Sequence, residues 1–401
     1  MGVELLLGLL GGLALFLYGM QMMSNNLEAA AGNKMKQILE KLTTNRFMGI
    51  LVGAGITALI QSSSATTVMT VGFVNSGLMS LNQAVWIIMG ANIGTTITGQ
   101  LIALDVGALA PLIAFIGVVL VVFVKRLQHI GGIVAGVGVI FIGMGMMSDA
   151  MLPLRDEPEF IQLMTSFKNP LLGVMAGALF TAVIQSSAAS IGILQALAVS
   201  GVIGLHSAVF VLFGQNIGTC ITAVLASVGT NRNAKRTTAI HLMFNVVGTV
   251  IFVVLCMVTP FVDWMITTNP ANPAAQIANV HTIFNIATTV ILFPFGPMLV
   301  NIAKQILPDT QVKHVMDADQ WFEGLMASKH HLGVSTIAIR PSNQEIRDML
   351  AIAASNVSDS FKAMEQGPGE NGIQEIADRE EEIDLSNVRL SKKISKVLVL
   401  D

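Results

Sequence analysis

The motif Gln61-Ser62-Ser63-Ser64 interrupts an otherwise apolar segment, and the chain returns to it as Gln185-Ser186-Ser187-Ala188. A second polar motif recurs in the same register, with Gly90-Ala91-Asn92-Ile93-Gly94-Thr95 matched by Gly214-Gln215-Asn216-Ile217-Gly218-Thr219. Both pairs lie 124 positions apart, with no gap needed between them. The sequence therefore predicts two copies of one structural unit.

The composition around these motifs is typical of a membrane protein. Hydrophobic residues make up 53% of the 401 positions and charged residues only 12%, which is too apolar for a soluble globule. Residues 305–401 hold 16 acidic and 10 basic residues, whereas residues 1–304 hold only 9 and 12. We therefore expect a membrane domain over 1–304 and a water-exposed helical tail over 305–401. Cys220 and Cys256 lie in apolar segments and indicate neither a disulfide nor a metal cluster.

The apolar segments predict an all-α polytopic membrane protein with about seven full spans. The predicted spans are 5–27, 83–104, 108–124, 130–150, 205–228, 237–259 and 277–303. Two further pairs of segments, 46–60 with 65–79 and 170–184 with 189–203, are too short to cross a bilayer and meet at the Gln-Ser-Ser motifs. We expect each pair to form a re-entrant helical hairpin that returns to its own side of the membrane.

Three spans separate equivalent points of the two copies, and an odd number inverts the second copy. Repeat one then covers about 5–126, repeat two about 130–260, and a final span follows at 277–303. With the N-terminus outside, ten basic residues face the cytoplasm, and they are Lys34, Lys36, Lys41, Arg46, Lys125, Arg126, Arg232, Lys235, Arg236 and Lys304. Only Arg155 and Lys168 fall outside, so the positive-inside rule predicts a cytoplasmic C-terminal tail.

A hairpin tip in hydrocarbon is tolerable only where its polar groups line a cavity or hold a ligand. In each copy a helix begins just after the serine cluster, and its free N–H groups, dipole and hydroxyls favour an anion. The Asn-Ile-Gly-Thr motifs lie at the centres of spans 83–104 and 205–228. Glycine there permits unwinding, and Thr95 or Thr219 can cap the second half-helix. The freed carbonyls and polar side chains suit a small hard cation such as sodium.

Other interpretations compete with ligand binding. A single Ser or Thr in a membrane helix usually bonds its own helix, but four polar clusters in one register favour a binding site. His241 with Asn245, and His281 with Asn285, share the pattern His-x-x-Phe-Asn, which fits either a functional site or interhelical hydrogen bonds. A channel would need a continuous pore. An intramembrane serine hydrolase would need a base, and no His, Lys, Asp or Glu lies near either serine cluster in sequence.

Paired Gln-Ser-Ser motifs, each followed about 30 residues later by Gly-x-Asn-Ile-Gly-Thr, resemble the type II sodium/phosphate cotransporter family over residues 5–304. The resemblance implies symport of inorganic phosphate into the cell, driven by a sodium gradient and carried out by an elevator-like core. It implies no enzymatic activity, no organic cofactor and no metal beyond sodium. The alternative substrate is another oxyanion or a dicarboxylate.

The resemblance also implies the site residues. Those for phosphate are Gln61, Ser62, Ser63, Ser64, Gln185, Ser186 and Ser187. Those for sodium are Ser64, Thr66, Asn92, Gly94, Thr95, Thr96, Asn216, Gly218 and Thr219. The copies differ because Ala188 stands at the position equivalent to Ser64 and Cys220 at the position equivalent to Thr96. The second half therefore lacks two side-chain oxygens. No Lys or Arg is available at mid-membrane, so sodium itself would neutralise phosphate.

The tail is predicted to form two helices. Ser342-Asn343-Gln344-Glu345 is a capping box, and Ile346, Leu350, Val357, Phe361 and Met364 follow it at helical spacing. After Gly367-Pro368-Gly369, a second helix carries Ile376, Ile383, Leu390 and Val397 every seven residues. The pair resembles the opening hairpin of PhoU-like domains. Such a hairpin would dock on the membrane domain or pair with a second copy in a homodimer, and nucleic acid is not an expected partner.

Overall fold

The computed structural model describes residues 3–31, 45–104, 106–308, 334–366 and 372–398. These residues are almost entirely helical and include no β-strand, which confirms the predicted all-α class. The contacts divide the chain into two compact units, Met1–Leu307 and Pro308–Asp401. Lys34, Lys36, Lys41 and the loop residue Asp105 lie outside the described residues.

The described part of the first unit contains fifteen α-helices. They are α1 (Val3–Ala31), α2 (Arg46–Ile60), α3 (Ser63–Asn75), α4 (Leu81–Ile102), α5 (Ala110–Phe123), α6 (Gln128–Met151), α7 (Pro158–Ser166), α8 (Pro170–Ile184), α9 (Ser187–Val199), α10 (Leu205–Gly218), α11 (Cys220–Ala226), α12 (Arg232–Val258), α13 (Phe261–Thr268), α14 (Pro273–Leu292) and α15 (Gly296–Ile306). Short 3₁₀ turns precede α5 and α6 and follow α6.

The predicted helix breaks at both Gln-Ser-Ser motifs are confirmed. Helix α2 ends at Ile60 and α3 begins at Ser63, while α8 ends at Ile184 and α9 begins at Ser187. We call α2 with α3 the first hairpin and α8 with α9 the second hairpin. Their boundaries differ by 124 residues, the offset of the sequence repeat. The inverted orientation of the two copies in a membrane stays a prediction.

Six helical segments among the described residues are long and apolar enough to cross a membrane. They are α1, α4, α6, α10 with α11, α12 and α14, which correspond to six of the seven predicted spans. The predicted span 108–124 is the 14-residue helix α5, about 21 Å long against a hydrocarbon core of about 30 Å. A different seventh candidate is the pair α7 and α8, which is bent by 99°.

The predicted final span 277–303 is wrong as a single helix. Helix α14 ends at Leu292, and α15 begins at Gly296. Pro294 and Pro297 stand at this break. Proline lacks the N–H group that would continue a helical hydrogen-bond ladder, so the apolar run divides here although its hydropathy does not change.

The predicted break at the Asn-Ile-Gly-Thr motif is wrong for the first half of the chain. Helix α4 runs without interruption from Leu81 to Ile102. In the second half only Thr219 separates α10 from α11, and its dihedral angles of φ −58° and ψ −26° remain helical. The glycine of the motif serves close packing instead, because a Cβ atom on Gly94 would collide with the carbonyl oxygen of Ala54 in α2.

Helices α4 and α10 form the centre of the membrane unit, and α14 connects them. Helix α2 packs closely on α4, and α8 packs closely on α10. The Nε2 of Gln100 on α4 donates to Asn279 Oδ1 at 3.1 Å and to Thr282 Oγ1 at 2.9 Å, both on α14. On the other side, α14 reaches α10 through His281, which contacts Asn216. This arrangement brings the two polar motif regions to one packed core.

The second unit contains the helices α16 (Val334–Gln366) and α17 (Gly372–Leu398). The Arg379 guanidinium lies 2.8 Å from Asp359 across the pair and holds the pKa of that carboxyl below its usual value. Leu390 is buried, whereas Leu350, Val357, Phe361 and Met364 are exposed on this unit. Nothing is described for the side chains of the predicted capping box, for Val397, or for the predicted Gly-Pro-Gly break.

We expect Gly214→Ala to destabilise the protein, because a methyl group there would collide with the carbonyl oxygen of Val174 in α8. Overpacking of this kind costs about 1–3 kcal/mol. The melting temperature in detergent, followed by tryptophan fluorescence, measures the loss. Gly145→Ala is the matched control, because Gly145 lies within α6 with open space around it and alanine favours a helix. A melting temperature unchanged by Gly214→Ala would contradict the close packing of α8 on α10.

Candidate functional site

The two Gln-Ser-Ser motifs form sharp turns with the same backbone geometry. Gln61 has φ 57° and ψ 27°, and Gln185 has φ 58° and ψ 19°. Among the described residues these two are the only ones other than glycine with positive φ, a conformation that few side chains adopt. Ser62 and Ser186 follow in extended conformation and cap the next helix. The chain thus ends one helix and begins another within two residues.

Each turn presents the N-terminus of a helix. Ser62 Oγ accepts a hydrogen bond from the backbone N–H of Ala65 at 3.1 Å, and Ser186 Oγ accepts one from Ala189 at 3.2 Å. The first two N–H groups of each helix have no intrahelical partner. They belong to Ser63, Ser64, Ser187 and Ala188. These donors, with the positive end of the helix dipole, provide the environment that an anion requires.

Hydrogen bonds from neighbouring helices hold the tip of the first hairpin. Ser24 Oγ on α1 donates to the carbonyl oxygen of Ile60 at 2.5 Å, and Thr98 Oγ1 on α4 donates to Gln61 Oε1 at 2.7 Å. The Gln61 Nε2 donates to the carbonyl oxygen of Ala58 at 2.6 Å. Both ends of the Gln61 amide are therefore engaged by the protein in this conformation.

The serines of the first tip differ in their surroundings. Ser63 is only 4% exposed, and its hydroxyl has no hydrogen-bond partner in the described part of the chain. Ser62 and Ser64 are half-buried. Ser64 Oγ is hydrogen-bonded to Thr222 Oγ1 on α11 at 3.1 Å, and Thr222 Oγ1 also lies 3.0 Å from the carbonyl oxygen of Thr219. This bond joins the first hairpin to the region of the second Asn-Ile-Gly-Thr motif.

The tip of the second hairpin is more open. Gln185 is exposed, and its amide makes no hydrogen bond to another described residue. Ser186 and Ser187 are half-buried, while Ala188 is buried. The two tips thus share one backbone design but differ in the side chains that surround them.

The polar side chains predicted to bind sodium in the first half are mostly bonded within their own helices. The side chains of Asn92, Thr95 and Thr96 donate to backbone carbonyls of α4 at 2.9, 3.2 and 2.7 Å. Thr66 Oγ1 accepts from Thr57 Oγ1 at 2.9 Å. A hydroxyl that donates its proton to a carbonyl keeps lone pairs for a cation, so these oxygens can still coordinate one. The predicted cap by Thr95 is wrong, because its hydroxyl faces back along the helix.

The second motif has the same local pattern and one long-range contact. Thr219 Oγ1 donates to the carbonyl oxygen of Gln215 at 2.9 Å, so the predicted cap by Thr219 is wrong as well. Asn216 Nδ2 donates to the carbonyl oxygen of Leu212, and its Oδ1 lies 3.1 Å from His281 Nε2. Because Oδ1 can only accept, the His281 nitrogen donates in this bond.

The two His-x-x-Phe-Asn patterns have different outcomes. His281 makes the interhelical hydrogen bond that was one of its two interpretations, whereas both ring nitrogens of His241 are buried with no partner among the described residues. In both patterns the asparagine Nδ2 donates to the histidine carbonyl one turn earlier, at 3.0 Å for Asn245 and 2.9 Å for Asn285. Asn245 Nδ2 also lies 3.4 Å from Cys220 Sγ.

Three residues that contact the tips were not among the predicted site residues. They are Ser24, Thr98 and Thr222. The signal that could have identified them is the repeat itself, because Ser24 recurs as Ser148 and Thr98 recurs as Thr222. A polar residue that both copies retain within an apolar helix is a candidate for the site.

Formal charge is absent from the sequence around both tips. No Asp, Glu, Lys or Arg occurs in residues 47–104 or 170–231. These segments therefore offer an anion helix dipoles, N–H groups, amides and hydroxyls but no charged side chain, and an ion without countercharge is expensive to bury. The site is suited to an anion that arrives together with a cation.

Comparison with known proteins places most of the chain in one family. Residues 15–149 and 157–266 match the Na+/Pi-cotransporter family. The uncharacterized protein YqeW of Bacillus subtilis is 31% identical over 298 residues, which cover 73% of this chain and 95% of YqeW. No solved structure matches.

Two other relatives carry functional names. The putative inorganic phosphate export protein YjbB of Escherichia coli is 27% identical over 310 residues, which cover 76% of this chain and 56% of YjbB. The human sodium-dependent phosphate transport protein 2B is 36% identical over 105 residues, which cover 26% of this chain and 15% of that protein. The chain thus spans only about half the length of YjbB and a small part of the human protein.

The family match contains both Gln-Ser-Ser turns and both Asn-Ile-Gly-Thr motifs, and it ends before the tail, so the PhoU-like character of the tail stays a prediction. The apolar helices make the chain a multi-pass membrane protein. The resemblance seen in the sequence is confirmed, and the chain belongs to the Na+/Pi-cotransporter family.

Proposed function

We propose that this chain is a secondary carrier that couples the entry of sodium to the uptake of inorganic phosphate by alternating access. The observation that carries the proposal is the pair of helix N-termini at Ser62 and Ser186, with unpaired N–H groups and serine hydroxyls in a region without formal charge. Phosphate offers several acceptor oxygens that match such donors. The family and the name of the human relative support phosphate over another oxyanion or a dicarboxylate.

In this proposal phosphate is held between the two tips. Its oxygens accept from the backbone N–H groups at the start of α3 and α9 and from the serine hydroxyls. Ser63 has a free hydroxyl, and the exposed Gln185 has a free amide among the described residues. The proposed phosphate residues are Gln61, Ser62, Ser63, Ser64, Gln185, Ser186 and Ser187.

Sodium supplies the positive charge that the protein lacks. The hydroxyl and amide oxygens of the motif helices would coordinate it beside phosphate. The proposed residues are Ser64, Thr66, Asn92, Gly94, Thr95, Thr96, Asn216, Gly218 and Thr219. Since α4 is unbroken, side-chain oxygens rather than freed helix carbonyls are the ligands there, and Gly94 serves by letting α2 come close. Coupling follows because phosphate without sodium would be an uncompensated buried charge.

The proposal also includes the membrane in which the protein lies and the direction of transport. We place the protein in the cell membrane with the tail in the cytoplasm, as the distribution of Lys and Arg predicts. The exposed apolar residues of α16 would pair with a second copy. Export is the second candidate direction, because YjbB is named as a putative phosphate exporter. A secondary carrier runs down the combined gradients, so an inward sodium gradient favours uptake.

We expect proteoliposomes that contain the purified protein to accumulate phosphate when sodium is higher outside than inside. Radiolabelled phosphate uptake measures this, with potassium in place of sodium and protein-free liposomes as controls. Uptake that persists after the sodium gradient is collapsed would contradict coupling. Competition by sulfate or succinate as strong as that by unlabelled phosphate would contradict the substrate. Sodium-dependent efflux without uptake would favour export.

We expect Ser63→Ala and Ser187→Ala each to lower phosphate uptake by about tenfold or more, because a hydrogen bond to a charged group contributes about 1.5–3 kcal/mol. Ser76→Ala is the matched control, since Ser76 is an exposed serine at the opposite end of α3. Size-exclusion profiles and melting temperatures establish that the variants are folded. Normal uptake by both variants would contradict a role of these serines in phosphate binding.

A further inference from the structure

Three hydrogen bonds close the first hairpin. Ser24 donates to the carbonyl of Ile60, Thr98 donates to Gln61, and Thr57 on α2 donates to Thr66 on α3, at 2.5, 2.7 and 2.9 Å between heavy atoms. The first two hold the turn against α1 and α4, and the third ties the two arms together. We call these three bonds the first latch.

Every residue of the first latch has a counterpart 124 positions later that can make the same bond. The counterpart is identical for five residues and is a serine for Thr66. The five are Ser24, Thr57, Ile60, Gln61 and Thr98. The counterparts are Ser148, Thr181, Ile184, Gln185, Thr222 and Ser190. We call the three bonds that these residues could form the second latch.

None of the second-latch bonds is present, although all six residues lie in the described part of the chain. The hydroxyls of Thr181 and Ser190 are completely buried and have no partner there. Gln185 is exposed, and the Thr222 hydroxyl instead contacts Ser64 of the first hairpin and the Thr219 carbonyl oxygen. The second hairpin therefore has all the groups that closed the first hairpin, but they are not joined.

A buried hydroxyl without a partner is unfavourable, and two at one place need an explanation. The same hydroxyls would satisfy each other if the second hairpin closed as the first one has, because their counterparts lie 2.9 Å apart. In carriers built from inverted repeats, one repeat moves against the other when the site changes the side it faces, so equivalent contacts in the two halves can form in different states. The unpaired groups of the second hairpin are then those that the other state pairs.

We propose that Ser148, Thr181 and Thr222 are positioning residues of the transport cycle, and that the second latch forms when the first latch opens. The inference rests on the proposed carrier function. Each latch holds its own Gln-Ser-Ser tip against the neighbouring helices and closes the site on one side. Thr222 connects the two events, since its single proton, within reach of Ser64 Oγ and of the Thr219 carbonyl oxygen here, cannot serve Gln185 at the same time.

The two latches can be tested by crosslinking. Cys220→Ala and Cys256→Ala remove both native cysteines and give a parent whose phosphate uptake is measured first. The pairs Thr57→Cys with Thr66→Cys, and Thr181→Cys with Ser190→Cys, are introduced separately and together. Hydroxyls at 2.9 Å place two cysteine sulfurs within reach of a disulfide.

We expect either disulfide to form on oxidation, but never both in one molecule of the four-cysteine variant. Intact mass spectrometry counts the disulfides, and peptide mapping identifies them. The Thr181–Ser190 crosslink is expected to lower uptake by at least tenfold until it is reduced. The Thr57–Thr66 crosslink is followed by mass alone, because Thr66 belongs to the proposed sodium site. A large fraction of molecules with both disulfides would show that the hairpins close independently and would overturn the proposal. Absence of the second disulfide under all conditions, with or without sodium and phosphate, would also overturn it.

A matched pair of variants shifts the balance without altering either hairpin. Ser24→Ala removes a bond of the first latch and is expected to raise the yield of the Thr181–Ser190 crosslink by about fivefold, the effect of one hydrogen bond. Ser148→Ala removes its counterpart and is expected to lower the same yield. Thr249→Ala is the control, because Thr249 is a buried threonine on α12 whose hydroxyl donates to the carbonyl oxygen of Phe213 and belongs to neither latch. Equal effects of the two serine variants would overturn the exchange.

These outcomes separate the latch from the proposed function. If the parent accumulates phosphate with sodium but carries both disulfides at once, the latch proposal fails and the carrier proposal stands. If the crosslinks exclude each other but no phosphate is transported, the two states are real and the substrate assignment fails.

Discussion

Every peptide group buried in an apolar medium must be hydrogen-bonded, and the interior of this protein depends on how that constraint is met. A helix satisfies its own backbone except at its ends. The turns at Gln61 and Gln185 place helix ends in the middle of apolar segments, so other groups must hydrogen-bond them. Ser62 and Ser186 each accept a hydrogen bond from one N–H group, and Ser24 donates one to the carbonyl oxygen of Ile60. The N–H groups that remain are those that a ligand can use.

The position of these turns could be predicted because a polar cluster in an apolar run is conspicuous. The left-handed conformation of Gln61 and Gln185 could not, since glutamine has no preference for it. The helical conformation of the Asn-Ile-Gly-Thr motif could not be predicted from the sequence either. Glycine permits both unwinding and close packing, and the choice at Gly94 is made by the carbonyl oxygen of Ala54, which lies 40 positions earlier. Local sequence does not contain that information.

In the candidate site, too, some features can be predicted from the sequence and others cannot. Ser62 and Ser63 could be assigned from the motif itself, because the chemistry is local. The hydrogen-bond partners of Gln61 and Ser64 could not be predicted. They are Thr98 and Thr222, which lie on other helices, and only the packing of those helices determines the contacts. Spacing predicts which residues share a helix face. It does not predict which neighbouring helix covers that face.

The hydrogen bond between Thr222 and Ser64 has no mirror image. The residue that answers Ser64 is Ala188, so Thr98 could find no such acceptor on the second hairpin. If the two hairpins exchange roles, the conformation described here keeps one hydrogen bond that its opposite lacks. Two nearly matched halves would then be unequal in energy. An empty carrier built in this way would have a preferred resting orientation.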